Sequence, residues 1–82
     1  MKRISVIGLG YIGLPTATVI ASHGYKTLGV DVNPSTIKNV NNGISGIVEP
    51  GLDDMLMTVT KKGFLKAVSK PQESDVFIIA VP

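Results

Sequence analysis

The sequence contains no cysteine and no tryptophan, a single histidine, and only four other aromatic residues, two Phe and two Tyr. Without cysteine the chain has no disulfide, no thiolate metal site and no thiol nucleophile. The net charge is only +2, with the cations spread along the chain. That leaves no interleaved basic and aromatic surface of the kind that grips nucleic acid. His23, in the last turn of the first helix, reads as a helix-end cation or a solvated residue. No metal site and no catalytic residue are therefore expected within these residues. Repeats and low-complexity tracts are absent too. The apolar stretch Ile4–Ala21 behind "MKR" imitates a secretory leader, but Ser5, Gly8, Gly10, Gly13, Pro15, Thr16 and Thr18 interrupt it. More strand and helix pattern follows at once, so neither a leader nor membrane attachment is expected.

What is present is a short chain, 82 residues with 44% apolar content, enough for one small globular unit with a modest core. "RISVIGL" is a β-branched run ending in glycine, the pattern of a buried parallel strand. Tyr11 to His23 reads as a helix, with Gly13, Ala17 and Ala21 on one face and Gly24 as its stop. "KTLGVD" is a second strand. "NPSTIKNVNNG" is a short helix with Asn33 as cap, Pro34 at its first position and Asn42-Gly43 at its end. "EPGLDDMLMTVTKKG" is a further helix, opened by Pro50, with Asp53 and Asp54 at its positive end and Lys61 and Lys62 at its negative end. Leu52, Met55, Leu56 and Val59 are its expected buried stripe. "LKAVS" and "DVFIIAVP" are third and fourth strands. The fourth, continuously apolar, is expected to be central in a larger sheet.

Strands alternating with helices imply an α/β fold with a right-handed parallel sheet. The expected architecture is a partial Rossmann, doubly wound sheet of order 3-2-1-4, truncated after its fourth strand. Residues 1–82 are thus expected to be the N-terminal part of a dinucleotide-binding domain, with the rest of that domain and a substrate domain elsewhere in a parent protein.

Gly8, Gly10 and Gly13 form G-x-G-x-x-G between the first strand and the first helix, the context that the dinucleotide fingerprint requires. Gly8 permits the tight turn, Gly10 lets a pyrophosphate approach the backbone, and Gly13 lets helix and strand pack closely. The phosphates would lie at the helix N-terminus, where free amides and the dipole favour negative charge. Asp31 ends the second strand eighteen residues after Gly13. It is placed to accept the adenosine ribose hydroxyls, and its carboxylate opposes a 2′-phosphate. NAD is therefore the expected cofactor.

Pro15 is unusual in a helix, and "GLGYIGLP" resembles the signature of the UDP-glucose/GDP-mannose dehydrogenase family. "GVDVNP", "VEPGLDDML" and "SDVFIIAVP" agree with it, so the resemblance spans essentially the whole chain. Leu9, Ile12 and the ending Ala80-Val81-Pro82 look most like its UDP-N-acetyl-D-mannosamine branch. The UDP-glucose branch more often reads G-A-G-Y-V-G, with glycine where Pro82 stands. The resemblance implies that Tyr11 and Ile12 supply backbone amides and contacts to NAD. It also implies a nucleotide-sugar partner, a homo-oligomeric parent in the cytoplasm, and oxidation of a sugar C6 alcohol to a carboxylate with two NAD. The family's cysteine nucleophile and its lysine, asparagine and aspartate helpers have no counterparts here, so this chain alone is expected to be inactive. Two other readings stay open on the residues: a different Rossmann oxidoreductase, such as a 3-hydroxyacid or 6-phosphogluconate dehydrogenase, and a stand-alone nucleotide-binding module. Glu49 reads as an acidic residue before a helix start.

Overall fold

The computed structural model describes residues 2–80. Strand β1 (Arg3–Ile7) leads through the glycine turn into helix α1 (Gly13–Ser22), and β2 (Lys26–Val30) follows. Two helices, α2 (Pro34–Asn41) and α3 (Leu52–Lys61), precede β3 (Leu65–Val68) and β4 (Val76–Ile79). The four strands form one parallel sheet of order β3-β2-β1-β4, as the alternation predicts. β1 and β2 pair from Arg3–Lys26 to Ile7–Val30, so both strands end at the same level. That register puts the glycine turn beside Asp31.

Helix α1 packs on β1 and β2, α3 packs on α1 and β3, and α2 lies along β3. The small face predicted for α1 is the one that packs: Gly13, Ala17 and Ala21 are buried, together with Leu14 and Thr18. Val6, Leu14, Ala17, Val40, Leu56, Val59, Leu65 and Ala67 join in one core between helices and sheet. Each large aliphatic buried here contributes about 1.5–3 kcal/mol.

The helix boundaries explain Pro15. α1 begins at Gly13, two residues later than the sequence suggests, because residues 10–12 form a turn before it. The Ile12 carbonyl accepts the Thr16 amide at 3.2 Å, so Pro15 occupies the third helical position. The Leu14 amide already bonds the Gly10 carbonyl at 3.1 Å, so the one rung that proline removes is the bond to the Tyr11 carbonyl, in the first turn, where the loss is smaller than in a helix interior. At the far end the His23 amide bonds the Ile20 carbonyl and Gly24 takes φ 90°.

α2 starts as predicted, with the Asn33 side chain accepting the Ser35 amide at 2.9 Å. α3 starts at Leu52 behind Gly51, one residue beyond Pro50. Met55 departs from its expected place in the buried stripe and is 39% exposed, whereas Leu52, Leu56 and Val59 are buried. The packed arc of α3 is narrower than its apolar periodicity, and Met55 lies on its margin beside the outer flank of α1, lining a groove with Pro15 and Val19.

The two edges of the sheet differ. On β3 the Asn41 side chain spans the Ala67 backbone: its Nδ2 donates to the Ala67 carbonyl at 3.0 Å and its Oδ1 accepts the Ala67 amide at 2.8 Å. A single amide side chain thus stands where a neighbouring strand would pair. β4 pairs with β1 on one side, and Phe77 and Ile79 are half-exposed or more. Among the described residues β4 is therefore an edge strand, and its predicted last residues, Val81 and Pro82, lie outside the description. Residues 69–75 cross back from β3 to β4, held by Arg3 Nη1 donating to the Glu73 carbonyl and by a Ser5–Ser74 hydroxyl pair.

Candidate cofactor site

Gly8, Leu9, Gly10, Tyr11, Ile12, Asp31 and Ala80 line a cavity of about 340 Å³ at the C-terminal ends of the strands. Ligands bind at this end of doubly wound sheets, outside the strand termini. Five of the six residues expected to hold the cofactor thus share one wall. The sixth, Gly13, lies behind it.

The three glycines stand in three different settings. Gly8 has φ 97°, which L side chains rarely adopt, and its amide bonds the Val30 carbonyl at 2.8 Å. At Gly13 a Cβ would lie 1.7 Å from the Gly8 carbonyl oxygen, so helix and turn touch backbone to backbone. Gly10 has no such constraint from the protein, because a Cβ there would meet nothing within 4 Å. Gly10 nevertheless lines the cavity, so its bare backbone forms part of the wall.

The cavity wall also carries donors. Among the described residues, the amides of Gly10, Tyr11 and Ile12 in that wall, and of Gly13 behind it, have no hydrogen-bond acceptor. They sit at the start of α1, where the dipole adds positive potential. The Tyr11 and Ile12 side chains are 81% and 74% exposed, so neither is packed into the core.

Asp31 faces the turn. Its Oδ2 accepts the Leu9 amide at 2.9 Å and its Oδ1 accepts the Asn33 amide at 2.9 Å. Each oxygen keeps lone-pair capacity for one further donor. Open glycine, free amides and a held carboxylate together fit the pyrophosphate and adenosine ribose of a dinucleotide.

A family model for the NAD binding domain of the UDP-glucose/GDP-mannose dehydrogenase family matches residues 2–82. The chain belongs to this family. Its cofactor is NAD. It is 54% identical over 81 residues to the UDP-N-acetyl-D-mannosamine dehydrogenase of Yersinia pestis, covering 99% of this chain and 19% of that protein. The enzyme of the same name from Campylobacter jejuni is 52% identical, with 99% and 20% covered. The solved UDP-N-acetyl-mannosamine dehydrogenase of Staphylococcus aureus superposes with TM-score 0.93 at 51% identity, over 98% of this chain and 19% of that one. GDP-mannose dehydrogenase of Pseudomonas aeruginosa, at 38% identity, also gives 0.93, over 98% and 19%. The chain therefore spans about a fifth of the length of the relatives it matches.

Two lining residues escape a fingerprint reading, Leu9 and Ala80. Leu9 stands between two glycines, where an apolar residue signals nothing locally. Ala80 enters because its amide bonds the Ile7 carbonyl at 2.8 Å, which sets the end of β4 beside the turn. His23 and Glu49 are not among the residues lining the cavity. No helix among the described residues is long and apolar enough to cross a membrane.

Proposed function

We propose that this chain forms the adenosine and pyrophosphate half of the NAD site of a nucleotide-sugar 6-dehydrogenase. Gly10 supports this reading most directly. The protein places nothing within 4 Å of its missing Cβ, and Gly10 lines the cavity among amides that have no acceptor among the described residues. The amides at residues 10–13 would bind the pyrophosphate, and Asp31 would accept ribose hydroxyls and reject a 2′-phosphate. Bound NAD supplies the hydride acceptor for alcohol oxidation.

The substrate of the parent protein is, in this reading, UDP-N-acetyl-D-mannosamine, oxidised to its uronate with two NAD. Identity above 50% to two dehydrogenases of that name supports it, against 38% to the GDP-mannose enzyme. Residues 1–82 are the N-terminal part of the NAD domain, with chemistry and sugar binding carried by further segments. A homo-oligomeric, cytoplasmic parent belongs to the same reading.

Titration of the chain with ADP, NAD and NADP, followed by amide NMR, tests the cofactor half. The expected result is shifts confined to residues 8–13 and 31–33, with an affinity for ADP and NAD of roughly millimolar. Equal binding of NADP, or shifts elsewhere, would overturn it. Assay of the parent with UDP-N-acetyl-D-mannosamine, UDP-glucose and GDP-mannose tests the substrate.

A further inference from the structure

We propose that Gly29 and Leu9 act as a matched pair that sets the position of the Asp31 carboxylate, making Gly29 a positioning residue for the cofactor. The inference rests on the NAD reading of the cavity but concerns Gly29, outside the fingerprint, and Leu9, one of its unspecified positions. Gly29 lies in the middle of β2, two residues before Asp31, and does not line the cavity. Its φ lies outside the left-handed region, so its backbone conformation does not call for glycine. A strand interior normally favours a larger, β-branched residue.

The reason for glycine is Leu9. A Cβ on Gly29 would lie 2.7 Å from Leu9 Cδ2, 2.8 Å from Cδ1 and 3.2 Å from Cγ. Leu9 is 4% exposed and part of the core, its side chain lying over the bare backbone of β2. The same residue turns its amide outward to Asp31 Oδ2 at 2.9 Å. Leu9 is therefore pinned from below by Gly29 and holds the carboxylate from above. Raising its side chain moves the amide that orients Asp31. The Asn33 amide holds the other carboxylate oxygen, Oδ1, at 2.9 Å, so Leu9 alone holds Oδ2 among the described residues.

The size relationship supplies a strong test. Gly→Val adds three carbons and Leu→Ala removes three, so the double exchange conserves volume at the contact. Four forms of the chain are compared: wild type, Gly29→Ala, Gly29→Val and Gly29→Val with Leu9→Ala. The first readout needs no ligand. In wild type the Leu9 amide proton should follow the ionisation of Asp31 in a pH titration by NMR. In Gly29→Ala that response should be lost or much reduced, and in the double variant it should return. The second readout is binding of ADP against 2′-deoxy-ADP. Gly29→Ala should weaken ADP about tenfold, the loss of a hydrogen bond to a charged group. It should leave 2′-deoxy-ADP, which lacks one of the hydroxyls that Asp31 would accept, much less affected.

A merely structural role would weaken both ligands together and leave no selective recovery in the double variant. That outcome, or a Leu9 amide in Gly29→Ala that still tracks Asp31, overturns the proposal. If Gly29→Val fails to fold, Gly29→Ala and the double variant still decide it. The NMR response present in wild type with no binding of either nucleotide would instead overturn the NAD reading and leave the pair intact.

Discussion

The Leu9 amide donates to Asp31 Oδ2 at 2.9 Å, joining the glycine turn to the end of β2 across 22 residues of sequence. The carboxylate that would meet the ribose is therefore also a strut of the turn. Asp31→Ala should weaken NAD binding by about 1–3 kcal/mol, the range for losing hydrogen bonds to a charged acceptor. Asp31→Asn should restore part of the turn's order, through its remaining acceptor oxygen, and less of the affinity. Isothermal calorimetry on the parent protein, paired with thermal melts, separates the two effects.

Two glycines of one fingerprint should respond oppositely. Gly13→Ala places a Cβ 1.7 Å from a backbone oxygen and should cost about 3 kcal/mol or more in stability. Gly10→Ala meets no protein atom and should change stability by less than about 1 kcal/mol, while reducing binding of ADP and NAD. Urea unfolding and nucleotide titration of both variants check this. A Gly10→Ala chain that binds ADP as well as wild type would remove the main support for the cofactor reading.

Stability should fall in acid partly through Asp53, at the start of α3. The Ser45 hydroxyl, and then the Ser45 amide, hold its carboxyl below the ordinary value of 3.8. The folded state thus binds this proton more weakly than the unfolded chain does. Its contribution is fully present above the unfolded value and is lost as pH falls through the lower folded one. Asp53→Asn should flatten that part of the acid limb and leave the neutral region nearly unchanged. Urea midpoints measured from pH 2 to pH 6 give the comparison.

The chain alone should produce no NADH from NAD with UDP-N-acetyl-D-mannosamine or UDP-glucose. It lacks any cysteine, and its one histidine caps α1 at the end away from the cavity. Chemistry needs a nucleophile and a proton acceptor within reach of the reacting carbon. Steady, protein-proportional absorbance of NADH would disprove this.

The parts of the structure written in local signals were legible in the sequence. β-branched runs, the spacing of Gly8, Gly10 and Gly13, the Asn33-Pro34 helix start and Asp31 at a strand end each act within a few residues. They located every strand, the sheet order and most of the cavity wall. The contacts that depend on three-dimensional juxtaposition were not legible. Nothing near Gly29 announces Leu9 above it, and nothing near Asn41 announces Ala67. Met55 has the right helical spacing for burial, but the width of the packed arc is decided by the neighbours of α3 rather than by α3. Pro15 is unusual in a helix, and the start of α1 at Gly13 places it in the first turn, where the one rung it removes costs least.

Asn41 gives the sheet a direction of growth. Its amide already occupies the hydrogen-bonding valence of Ala67, and α2 lies along the same border. Any strand joining at β3 would first have to evict that side chain and the helix behind it. The border at β4 has no such plug among the described residues. The ladder is therefore a tape sealed at one margin, on which register can propagate only outward from β1 through β4. Pairing at the sealed side is suppressed by a single residue, and a ladder that lengthens does so on the side of β4 away from Asp31.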